Sequence, residues 1–138
     1  MPKVRAEISQ GNPYWLSKHR FYEVYHFALQ YTEWKDRYLS LEDSSQAIRY
    51  DRERVQTSPS ADGLENVAIE RSELQQKIKM VEETAREADP DLYRWILKAV
   101  TTEEASFDYL KSCMNIPCER DMFYDRRRKF YWLLSKKI

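Results

Sequence analysis

Residues 64–88 carry the most regular apolar pattern in the chain. Leu64, Val67, Arg71, Leu74, Ile78, Val81, Ala85 and Ala88 advance by alternating steps of three and four. That spacing draws a heptad seam along one face of a helix, with Arg71 as its one polar member specifying a register. The seam can close against a second chain, with Leu64, Val67, Leu74, Ile78 and Val81 as the oligomer contacts, or against another long helix of the same chain. Upstream, residues 14–41 predict that other helix: Phe21, Tyr25, Ala28 and Thr32 recur at helical spacing, with Tyr22, Leu29 and Trp34 in a second stripe beside them. So aromatic a helix is expected to pack against something large, such as another subunit. Between the two lies "EDSSQAIRYDRERVQTSPSADG", residues 42–63. It is polar and contains Ser-Pro and Asp-Gly, and it reads as a flexible linker with at most a helical turn over Gln46–Arg54.

The last third predicts three helices. Asp89-Pro90 supplies an N-cap followed by proline, opening "DLYRWILKAV". Thr101 and Glu104 are spaced as a capping box, opening "EEASFDYLKSCM". Asn115 and Pro117 in "NIP" end that helix, and Cys118, Glu119 and Arg120 start the final one. The chain therefore reads as all-α: an aromatic N-terminal helical arm over 1–41, the linker over 42–63, an acidic heptad helix over 64–89, and a trihelical helix-turn-helix domain over 90–138.

Composition narrows this picture. Two glycines in 138 residues argue against tight hairpins and against a glycine-rich phosphate loop. Cys113 and Cys118 are too few for a disulfide framework and lack the second pair of a zinc knuckle. The start "MPKVRAEISQ" has no apolar core of a leader, and no stretch approaches the roughly 18 apolar residues of a membrane span. A cytoplasmic protein with no membrane partner is the expectation. Net charge is zero, yet residues 62–91 hold nine acids against four bases and residues 118–138 seven bases against three acids. A field concentrated at the basic end suits a polyanion.

On a wheel of the final helix at about 100° per residue, Phe123, Phe130 and Leu134 form the inward stripe, with Leu133 beside it. Asp121, Asp125, Arg128 and Trp132 fall opposite, and Arg127 lies near the buried edge. In a helix-turn-helix the first residues of the third helix reach base edges and later cations hold phosphates. Glu119, Arg120, Asp121 and Tyr124 are then the candidate base readers, since Arg can bond guanine and a carboxylate can accept from cytosine. Arg126, Arg127, Arg128, Lys129, Lys136 and Lys137 are the candidate phosphate contacts on double-stranded DNA. The plainer reading of the same run is a solvated basic face.

The segment "TTEEASFDYLKSCMNIPCERDMFYDRRRKFYWLLSKK" resembles the C-terminal helix-turn-helix of phage-encoded late-gene transcriptional activators of the RinA/ArpU kind, itself similar to region four of bacterial sigma factors. With the acidic helix upstream, the resemblance covers residues 55–138. It implies a DNA-binding regulator from a phage or prophage of a Gram-positive bacterium, with the recognition helix at 118–129. "MNIP" stands where the family usually has a turn glycine. The acidic middle suggests a protein contact, with a second copy or host RNA polymerase.

No cofactor or metal is expected. His19 and His26 lie seven apart on one helix without carboxylate or cysteine ligands nearby, and no P-loop, nucleophile elbow or zincin pattern occurs. A non-enzymatic transcription regulator is the first expectation. A small terminase subunit that recognises packaging-site DNA is the second, and a phage-encoded inhibitor of a host nucleoprotein the third.

Overall fold

The computed structural model describes residues 10–55 and 61–138, with side chains described at 10–43 and from Gly63 onward. Its elements are all helices: α1 (Lys18–Leu29), α2 (Tyr31–Val55), α3 (Ala61–Ala88), α4 (Tyr93–Thr101), α5 (Phe107–Met114) and α6 (Arg120–Ser135). None of the described helices is long and apolar enough to cross a membrane. The expectation about the leader falls on residues 1–9, outside the described residues.

The chain divides into two compact units. One joins the chain up to Tyr31 with Met80–Ile138, and the other is Thr32–Lys79. The expected single helix over 14–41 is interrupted: α1 ends at Leu29, Gln30 makes a turn, and α2 starts at Tyr31. The interruption takes Thr32 off the stripe, so Phe21, Tyr25 and Ala28 are buried while Thr32 is exposed. The expected linker is largely helical, because α2 continues to Val55. Residues 46–55 lack an apolar period but are rich in Arg, Gln, Glu and Ala, which favour helix. The remainder of that expectation, residues 56–60, lies outside the described residues.

In the unit Thr32–Lys79 the heptad seam meets α2 of the same chain. Arg37 makes a paired contact with Glu70, Nε to Oε1 at 2.9 Å and Nη2 to Oε2 at 3.3 Å. Arg71 donates from Nη2 to the Tyr38 hydroxyl at 3.1 Å and lies 4.7 Å from that ring's centre, while Lys77 sits over Trp34. Trp34 meets Lys77 while Tyr38, further along α2, meets the earlier Arg71 of α3, so the two helices lie antiparallel. Leu74 is buried, whereas Leu64, Val67 and Ile78 are half-buried.

The other unit is built around α6. Helices α1 and α4 pack on α6 and on each other. Val24 and Ala28 from α1, Ile96 and Val100 from α4, Leu110 from α5 and Phe123, Phe130 and Leu134 from α6 are fully buried, with Val81 and Ala85 of α3. The aromatics of α6 fill the space beside α1 and α4. Burying such side chains is worth about 1.5–3 kcal/mol each.

Candidate nucleic-acid interface

The turn before α6 is set by Asn115, which adopts a left-handed conformation, φ 52° and ψ 50°. Asparagine tolerates this region better than most residues with a β-carbon. The Asn115 and Ile116 N–H groups both reach back to the Leu110 carbonyl, the latter at 3.2 Å, and so close the end of α5. The Trp95 indole satisfies the Met114 carbonyl at 2.9 Å, and Ile116 packs inward, 1% exposed.

The helix starts differ in detail from the sequence reading. Asp89 does act as a cap: its Oδ1 accepts from Asp91 N at 2.9 Å and Leu92 N at 3.2 Å. The three residues after it form a turn, and α4 opens only at Tyr93. The Thr101–Glu104 capping box does not form. Thr101 belongs to α4, where its hydroxyl donates to the Leu97 carbonyl at 2.6 Å, and Ser106 caps α5 by accepting from Tyr109 N at 3.2 Å.

Among the candidate base readers, Glu119, Arg120 and Asp121 are exposed at the first turn of α6 and Tyr124 is half-buried. Arg120 is held by Asp108 of α5 at 2.8 Å. The six candidate phosphate contacts separate into distinct environments. Arg126 turns toward the α3–α4 junction, donating from Nε to Asp89 at 3.0 Å and from Nη1 to Asp125 at 2.6 Å. The bond to Asp89 chiefly raises its pKa. Arg127 lies over the rings of Tyr124 at 4.7 Å and Phe123 at 5.6 Å, and burial lowers its pKa. Lys137 bonds Thr84 at 2.9 Å and Glu87 at 3.0 Å. Lys136 sits 3.4 Å from the centre of the Trp132 ring. Arg128 and Lys129 are half-buried and make no ion pair with the described residues.

The wheel placed Asp125, Arg128 and Trp132 on a free outer face. All three are half-buried, because α6 is covered from more than one side. Trp132 meets Tyr14, with ring centres 5.6 Å apart. On the α1 side, Tyr131 is 1% exposed and packs edge-on against Phe21 at 5.1 Å. The sequence reading missed Tyr131, whose only signal was its place beside Phe130. Arg20 of α1 also donates from Nη2 to the Ser135 carbonyl at 2.5 Å, one that the end of α6 leaves unpaired, and to the Ile138 carbonyl at 2.7 Å.

Other candidate chemistry is sparse. Cys113 is an exposed free thiol and Cys118 a half-buried one, and burial pushes the Cys118 thiol up. His19 and His26 are exposed, and no three His, Cys, Asp or Glu side chains gather as a metal set among the described residues. No protein-family model, curated protein or solved structure matches the chain.

Proposed function

We propose that the chain is a non-enzymatic, DNA-binding transcriptional regulator that uses α4, α5 and α6 as a helix-turn-helix. The observation that carries the reading is the exposure pattern of α6. From Phe123 to Ser135 every residue is at least half-buried, while Glu119 to Met122, directly after the Asn115 turn, meet solvent. A recognition helix presents its first turn to base edges and is gripped elsewhere by its own domain. Arg120 and Asp121 then supply a donor fork and an acceptor for base edges. Arg128 and Lys129 supply the phosphate charge, since Arg126 and Lys137 are engaged by Asp89 and Glu87.

The test is a salt series. A duplex enriched from random fragments is titrated at rising salt with the wild type and with Arg128→Ala/Lys129→Ala. Loss of two phosphate contacts lowers the slope of log K against log salt by about two. Equal, weak and sequence-indifferent binding by both proteins sinks the reading.

A further inference from the structure

The α2–α3 hairpin within Thr32–Lys79 has two flanks, and they differ in kind. Its inward stripes are Trp34, Tyr38 and Leu41 on α2 and Val67, Arg71, Leu74 and Ile78 on α3. The Arg37–Glu70 ion pair marks one flank. At about 100° per residue, Lys35, Leu39 and Glu42 fall on the side of α2 opposite Arg37. By the same rule Glu65, Ala68, Ser72 and Lys79 fall on the side of α3 opposite Glu70. Because Arg37 meets Glu70, those opposite sides come together as the second flank. Glu42 is half-buried there and the rest are exposed. Leu39, at 56%, is the most exposed large apolar side chain among the described residues.

The charges of this flank are sorted along its length. Lys35 comes one turn before Leu39 and Glu42 one turn after it. The α3 helix runs the other way, and Lys77 over Trp34 shows which ends coincide, so Lys79 lies at the Lys35 end and Glu65 at the Glu42 end. The Arg71–Tyr38 contact sets the level at the middle, where Leu39 stands beside the small side chains of Ala68 and Ser72. A surface that is basic at one end, acidic at the other and apolar between complements itself after a half-turn about an axis through Leu39. The basic end of one copy then faces the acidic end of the other, and Leu39 meets its own counterpart.

We propose that this flank is a two-fold interface with a second copy of the chain, two α2–α3 hairpins pairing into a four-helix bundle. The heptad face itself is already taken by α2 of the same chain, which leaves Leu64, Val67 and Ile78 half-buried; a second hairpin laid along the flank covers them further. Charge sorting selects the antiparallel arrangement, since the parallel one sets lysine against lysine. The interface does not depend on the DNA reading, and its test contains no DNA.

The experiment is sedimentation equilibrium of the full chain at low salt, where surface charge is least screened. The wild type forms a dimer, and Leu39→Gln weakens it about tenfold or more. Lys35→Glu/Lys79→Glu and Glu42→Lys/Glu65→Lys each associate more weakly than the wild type when alone, because like charges now meet. Mixed in equal amounts, these two variants form a heterodimer, an outcome that damage to the fold does not produce. A wild type that stays monomeric up to about 100 μM, a range that detects micromolar association, overturns the proposal. So does a dimer indifferent to Leu39→Gln, or a mixture of the charge variants that yields no heterodimer.

Discussion

Asp89 and Arg126 tie α6 to the turn between α3 and α4: one carboxylate oxygen takes the Arg126 Nε–H at 3.0 Å while the other caps the backbone of Asp91 and Leu92. One side chain thus organises a chain reversal and anchors the central helix. Asp89 is 8% exposed, so removing its cation leaves a nearly buried carboxylate short of a partner.

Arg126→Met is therefore expected to lower stability by about 1–3 kcal/mol, the cost of losing a charge-assisted hydrogen bond at a buried partner. Urea unfolding of Arg126→Met, Asp89→Asn and the double variant measures it. A non-zero coupling term is expected, because the two residues share one contact. Additive effects count against the pairing as described. Any loss of polyanion binding in Arg126→Met should track the stability loss, since that cation is already committed.

Asn115 gives a second expectation. Its left-handed backbone costs a residue with a β-carbon roughly 1–2 kcal/mol unless the side chain compensates. Asn115→Gly should match or slightly exceed the parent in thermal stability, while Asn115→Ala should fall by about 1 kcal/mol. Equal melting temperatures for the two variants would remove the Asn115 turn from the account of how α5 ends.

The third concerns alkaline pH. Burial raises the phenol pKa of Tyr25, of Tyr131 and of Tyr31, the last helped by its bond to Glu82. A folded-state pKa above the unfolded value near 10 means that the neutral phenols' contribution is fully present below about pH 10. It is lost as pH rises through the folded values. Absorbance titration, differenced against Tyr25→Phe, Tyr31→Phe and Tyr131→Phe, should show these phenolates appearing together with unfolding. Independent ionisation of Tyr131 near its ordinary value, in a folded protein, would contradict its burial.

The sequence pattern located α6 and its inward stripe well, because Phe123, Phe130 and Leu134 repeat at helical spacing and all are fully buried. It underestimated how much of α6 is covered. A wheel assumes one buried face, and here α1 and α4 both pack on the helix, drawing in Tyr131 and half-burying Arg128. The turn at Gln30 was not legible, since neither glycine nor proline marks it and the apolar pattern runs on through Thr32. Helix over 42–55 was hidden for the opposite reason: a polar stretch can be helical by backbone propensity alone, and periodicity is silent where no face is apolar. The Asp89–Arg126 pair joins residues far apart in sequence, and spacing cannot reveal it.

The aromatic face of α1 has a consequence for synthesis. Phe21 and Tyr25 find Tyr131 only after roughly 110 further residues have been made, which at ordinary translation rates takes on the order of ten seconds. Through that interval the emerging chain carries an uncovered aromatic strip, the kind of surface that invites aggregation or a chaperone. Because α6 supplies Tyr131 so long after α1 is made, this aromatic strip is more exposed to such contacts in the nascent chain than in the folded one.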